Sequence, residues 1–152
     1  MRHGVFGQKL GRSTKTRKSL LHNLSSALLE KGKITTTVAK AKFARPYIEK
    51  LITKARRNSL HGQRTVSSLL SSKAFTRLTR EIAPGFAARN GGYTKIIRLD
   101  NRQGDSAEMA RLELLEWDKK LAKVTQAGKK REIAKIARSK KPATTKKHTE
   151  ET

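Results

Sequence analysis

GGYTKIIRL, residues 91–99, is the stretch on which the fold turns. Tyr93, Lys95, Ile97 and Leu99 alternate there with Thr94, Ile96 and Arg98, the period of two that a half-buried strand requires. A second alternating run sets Ala110, Leu112, Leu114 and Glu116 against Met109, Arg111, Glu113, Leu115 and Trp117. Between them, Asp100 to Ala107 contains Asn101, Gly104 and Asp105, all turn formers, so the pair predicts two antiparallel strands. Ile97 and Leu112 are expected to face the core.

Upstream the period is helical. Ser13 or Thr14 can cap a first helix whose Leu20, Leu21, Leu24, Ala27 and Leu28 share a face before Gly32 stops it. Ile34 to Thr36 is short, β-branched and extended, and Thr37 can cap a second helix running from Val38 to about Arg57. Its apolar set is Ala41, Ala44, Ile48, Leu51, Ile52 and Ala55, and Pro46 inside that pattern predicts a kink or a break near Ala44. Two shorter helices are expected around Arg64 to Leu70 and Ala74 to Ile82, with Ser71 or Ser72 as the cap between them and Pro84-Gly85 as the stop. The whole reads as an α+β chain, helices packed with a small antiparallel sheet, with Leu24, Leu28, Ile48, Leu51, Ile97 and Leu112 in its core.

Charge divides the same chain differently. It has 152 residues with 36 Lys and Arg against 12 Asp and Glu, a formal net charge of +24, which makes a polyanion, above all nucleic acid, the expected partner. Residues 1–58 carry a balance of +13, residues 59–118 only +2, and residues 119–152 +9. Three parts follow: an extended arm over 1–12, a globular domain over 13–118, and a basic tail over 119–152 that is disordered or loosely helical. In the arm, glycines break MRHGVFGQKLGR, and Arg2, His3, Lys9 and Arg12 need a partner to order them. Lys15, Arg17 and Lys18 sit at the start of the first helix, where cations oppose the helix dipole and a bound phosphate would reverse the cost. The second helix carries Lys40, Lys42, Arg45, Lys50, Lys54, Arg56 and Arg57 with Glu49 as its one acid, too lopsided for intrahelical ion pairs. Arg89 and Lys95 flank Gly91-Gly92, where the backbone can approach another backbone closely, while Tyr93 offers either a stacking face or a core ring.

Chemistry is mostly missing. There is no Cys, hence no disulfide or thiol nucleophile, and His3, His22, His61 and His148 are scattered without metal-ligand spacing. Asp100, Asp105 and Glu108 approach a calcium-loop spacing, but Arg102 stands where an oxygen ligand is required. Glu113 and Glu116 read as solubilising strand acids, and no glycine-rich phosphate loop or nucleophile motif occurs. The apolar runs are too short to span a bilayer. No cofactor, metal, small-molecule substrate or membrane is therefore expected.

Several fragments, taken in order, resemble one family. They are Met1-Arg2-His3, Leu10-Gly11-Arg12, the run Thr36-Thr37-Val38-Ala39-Lys40-Ala41-Lys42, Leu51-Ile52-Thr53 with Ala55, Gly91 to Ile96, Gly104-Asp105 and Met109-Ala110. Together they resemble bacterial large-subunit ribosomal protein L17. The resemblance implies an α+β domain without catalytic activity, bound to 23S-type ribosomal RNA near the exit of the nascent-chain tunnel, beside neighbouring large-subunit proteins. It implies RNA contacts from Arg2, His3, Lys9, Arg12, Lys15, Arg17, Lys18, Lys40, Lys42, Arg45, Lys54, Arg89, Tyr93 and Lys95. Thr16 and Phe43-Ala44 depart from the family's usual residues, and the tail after about Lys123 has no counterpart in it.

Two other readings compete. A DNA-compacting architectural protein would use the same basic helices and tail, although it has no need of the glycine-rich arm or of Gly91-Gly92-Tyr93-Thr94. The first 29 residues hold no acid and also fit an organellar transit peptide, whereas the resemblance implies that this segment belongs to the working protein. A ribosome in the cytoplasm is the expected location, with an organellar ribosome as the variant.

Overall fold

The computed structural model describes residues 8–117; the expectations placed on Arg2, His3 and the tail from residue 118 onward lie outside the described residues. Helix α1 (Thr14–Lys31) begins where the Ser13 side chain accepts the Thr16 N–H and ends at Gly32, whose φ of +84° lets its own N–H close on the Leu28 carbonyl. Strand β1 (Lys33–Thr37) runs directly into helix α2 (Val38–Arg56). Thr37 occupies the cap position without using its side chain, and the Val38 N–H is instead satisfied by the Glu108 carbonyl at 3.0 Å.

Pro46 neither breaks nor ends α2. The bond it forgoes is to the carbonyl of Lys42, and both residues are exposed, so water can take that carbonyl. Helix α3 (Leu60–Ser67) starts earlier than its periodicity suggests, because the Ser59 hydroxyl accepts the Gly62 N–H at 3.1 Å. Helix α4 (Ser72–Arg77), capped by Ser71 as expected, continues through a π-helical turn (Leu78–Ile82) into the short α5 (Ala83–Gly85).

Strands β2 (Thr94–Leu99) and β3 (Met109–Leu114) pair antiparallel, and β1 pairs antiparallel with the other side of β3, giving the order β1-β3-β2. The extended piece Ile34–Thr36 is thus a full sheet member. Its partner lies more than seventy residues away in the chain, beyond the reach of any local pattern. Register also settles the faces. Leu112 points inward between Ile34 and Ile96, whereas Ile97 stands opposite Arg111 on the outer face and is 36% exposed. Ile97 is therefore corrected from core to surface: the alternation of β2 was read correctly but assigned to the wrong side.

The helices cover the inner face. Leu28, Leu29, Ile48, Leu51, Ile52, Val66, Leu78, Ile82, Phe86, Tyr93 and Leu112 form one continuous buried cluster, with Leu24 packed half-buried against it. His22 of α1 stacks on Tyr47 of α2, ring centroids 6.1 Å apart, and burial pushes the Tyr47 phenol up. Trp117 closes the described chain on this core, its ring 6.0 Å from Phe86. It also leaves no room at Gly85, where a Cβ would overlap the Trp117 ring and come within 3.1 Å of its Cβ. Gly85→Ala is expected to cost about 1–3 kcal/mol by overpacking, read as a lowered midpoint in thermal unfolding. A midpoint equal to that of the unchanged chain would mean that Trp117 does not seal this edge.

In the β2–β3 connection Arg102 forks onto Asp105, with Nε to Oδ1 at 3.0 Å and Nη2 to Oδ2 at 2.5 Å, and the Ala107 N–H adds a bond to Oδ1. The hydrogen bond from Arg102 holds the Asp105 carboxyl at about 2, below its ordinary 3.8. A depressed carboxyl stabilises the fold above its unfolded value and loses that contribution as pH falls through the folded one. This brace is therefore intact above pH 3.8 and released as pH falls through about 2. Side-chain carboxyl NMR should titrate Asp105 near 2; a midpoint near 4 would show that the fork does not persist in solution.

Candidate nucleic-acid interface

Helix α1 has no acid in its first turn, so Lys15 and Lys18 face the positive end of the helix dipole uncompensated. Lys9, Lys15, Lys18, Lys42 and Lys54 are exposed, Lys40 is half-buried, and none of the six makes a side-chain hydrogen bond or ion pair among the described residues. On α2 the buried stripe from Val38 to Ala55 occupies one side, leaving Lys42 and Lys54 toward the solvent and Lys40 on the flank.

The arginines behave differently. Arg45 pairs with Glu49 one turn on, at 3.4 Å, and the same carboxylate oxygen accepts the Thr94 hydroxyl at 3.0 Å, tying α2 to β2. Arg17 directs Nε to the Lys9 carbonyl at 3.2 Å and Nη2 to the Arg12 carbonyl at 3.1 Å. Those carbonyls belong to a tight turn: the Arg12 N–H closes on the Lys9 carbonyl, and Leu10 and Gly11 have φ of +52° and +61°. Two successive positive φ values mark a type I′ geometry. For Leu10 the left-handed region costs about 1 kcal/mol, so the surroundings must hold it there. The last residues of the arm are thus a braced turn where an extended segment was expected, and Arg12 itself donates to the Leu10 carbonyl at 2.9 Å.

A second basic segment is braced in the same manner. Arg56 of α2 places Nη1 against the Arg89 carbonyl, the Asn90 Oδ1 at 3.0 Å and the Ala87 carbonyl at 3.5 Å. Arg89 in turn donates to the Gly92 carbonyl at 3.1 Å. Tyr93, counted from sequence among the RNA-facing residues, is 0% exposed; its ring packs 5.1 Å from Phe86 and its hydroxyl reaches the Arg89 carbonyl at 3.3 Å. Of the two roles open to that ring, core packing is the one it fills, and it cannot offer a face to a base.

Lys95 bonds Glu113 across the strands at 2.8 Å. That hydrogen bond holds the Glu113 carboxyl below the ordinary range, with the charges of Lys95, Arg111 and Lys33 adding to it. An open cleft of about 570 Å³ joins Arg89 and Lys95 to Lys31 and Lys33 at the end of the sheet. The last two cations were not singled out from sequence. The pairing of β1 with β3 brings them there, since Lys33 lies opposite Glu113.

Fold and surface together define a small, strongly basic α+β protein with two arginine-braced loops and, on two helices, lysines that are unpaired among the described residues. A family model described as ribosomal protein L17 matches residues 20–115. Over 116 residues the chain is 47% identical to the large ribosomal subunit protein bL17 of Gemmatimonas aurantiaca, covering 76% of this chain and 98% of that protein. It is 50% identical over 116 residues to the bL17 of Campylobacter jejuni subsp. doylei, covering 76% and 99%. With the bL17 of Akkermansia muciniphila it shares 44% over 128 residues, covering 84% and 94%. The chain belongs to the ribosomal protein L17 family.

Proposed function

We propose that this chain is a structural, non-enzymatic constituent of the large ribosomal subunit that binds 23S-type ribosomal RNA. The observation that carries the reading is the set of lysines unpaired among the described residues, Lys15, Lys18, Lys40, Lys42 and Lys54, on helices with almost no acid. Phosphate neutralisation by such lysines supplies affinity, and the folded shape of RNA supplies specificity. Arg2, His3, Lys9 and Arg12 extend the contact through the arm. Arg89 and Lys95 add to it from the sheet end, and Arg45 from α2. Residues 119–152 contribute charge without completing the core, which resides in residues 13–118. The site on the subunit is near the nascent-chain tunnel exit, beside neighbouring large-subunit proteins, on a cytoplasmic or organellar ribosome. Relatives named for the large subunit support this assembly. Among the described residues no helix is long and apolar enough to cross a membrane.

Sedimenting a lysate before and after a high-salt wash tests the reading. The protein is expected in the large-subunit peak under both conditions. Sedimentation with DNA at low salt and release from it by the wash would favour the DNA-compacting alternative, because a purely electrostatic coat is lost as counterions are restored.

A further inference from the structure

We propose that Arg17 and Arg56 are positioning residues: each pre-forms a basic loop for RNA and is not itself a phosphate ligand. The inference rests on the RNA-binding reading above and assigns roles within it. Arg17 spends the Nε–Nη2 edge of its guanidinium, one of the edges that could clamp a phosphate with two parallel bonds, on the Lys9 and Arg12 carbonyls. Those two acceptors flank Leu10 and Gly11, the two left-handed residues of the turn, so the fork holds the strained part of the arm from both sides. Arg56 braces its targets, more than thirty residues away, through one nitrogen. Its Nη1 meets the Arg89 carbonyl and the Asn90 side chain, fixing the loop that presents Arg89. Tyr93 braces that same carbonyl from the core side.

At Arg17 the geometry depends on a planar fork, with a separate nitrogen on each carbonyl. Lysine keeps the charge but carries one nitrogen on a flexible stem, so it does not reproduce the two fixed bonds. A phosphate ligand tolerates that exchange better, because the ammonium still neutralises the phosphate. Freezing a loop before binding removes the ordering cost from the binding step, and losing the brace returns it.

The experiment uses the full chain with Arg17→Lys, Arg17→Gln, Arg56→Gln and, as a phosphate-contact control, Lys15→Gln. Backbone NMR order parameters are measured on the free proteins, and affinity for a full-length bacterial large-subunit rRNA transcript is measured across a salt series. Arg17→Lys is expected to lower the order parameters of residues 10–12 from about 0.85 to below about 0.6 while those of α1 hold. Arg56→Gln, which removes the cationic nitrogen that braces the loop, should do the same for residues 89–92. Both variants should bind roughly tenfold more weakly at every salt concentration, with the slope of log affinity against log salt unchanged. Lys15→Gln should instead reduce that slope by about 0.7–0.9. Unchanged order parameters in both Arg17→Lys and Arg56→Gln would overturn the proposal, as would Arg17→Lys binding like the unchanged chain, or Arg17→Gln or Arg56→Gln reducing the slope as Lys15→Gln does. Failure of the unchanged chain to bind the transcript would overturn the RNA reading itself, while the order parameters would still decide whether the arginines hold the loops.

Discussion

Replacing Lys15, Lys18, Lys42 and Lys54 together by Gln is expected to reduce the slope of log affinity for large-subunit rRNA against log salt by about 3, from four lost phosphate contacts. At 50 mM salt the loss should be on the order of ten thousandfold, shrinking toward nothing near 1 M, where counterion release no longer drives binding. Stability should move the other way. Lys15 and Lys18 oppose the α1 dipole with no acid beside them, so neutralising each relieves a few tenths of a kcal/mol. Lys42 and Lys54 are exposed and unpaired among the described residues, and removing four charges from a chain of net +24 reduces self-repulsion. A melting midpoint that holds or rises while affinity collapses would tie the loss to the interface. Salt-dependence equal to that of the unchanged chain would show that the lysines do not meet phosphates.

What the sequence disclosed, and what it concealed, follows from the range of each interaction. Helix α1 was legible because its signals are local: Ser13 caps it, Gly32 stops it, and the apolar stripe between repeats at helical spacing. Strands β2 and β3 were legible for the same reason. Membership of β1 in the sheet was not, since five residues of KITTT acquire their partner only through a long-range pairing with Met109–Glu113. The register of β2 on β3 in turn decides that Ile96, opposite Leu112, and not Ile97 faces inward. On the surface, charge was legible but its use was not. Composition ranks Arg17 with Lys15 and Lys18, yet Arg17 turns back onto carbonyls of the preceding turn while the two lysines make no side-chain bond among the described residues. The hint lay in the residue type, because the planar guanidinium suits a fork onto fixed acceptors and the flexible ammonium does not.

Tyr93 carries the sharpest separation between the two roles open to it in the sequence. Its side chain is fully buried, it packs on Phe86 at the junction of α5 and β2, and its hydroxyl meets the Arg89 carbonyl at 3.3 Å and Thr53 at 3.5 Å. Tyr93→Ala would leave a ring-sized cavity in a small core and is expected to cost about 3–5 kcal/mol, as truncations of buried aromatic residues do. In a domain of roughly a hundred residues that corresponds to a drop in midpoint of more than about 12 °C. Tyr93→Phe keeps the ring and removes only the hydroxyl, so its cost should be about 0.5–1.5 kcal/mol. Both are checked by chemical denaturation of the full chain. A ring stacked on an exposed base gives the opposite signature: Tyr93→Ala would leave stability almost unchanged and weaken RNA binding by about 1–3 kcal/mol. The cavity prediction also reaches the interface. Without the phenol, the Arg89 carbonyl keeps only the Arg56 guanidinium, so the loop that presents Arg89 loses its brace from the core side while its brace from α2 remains.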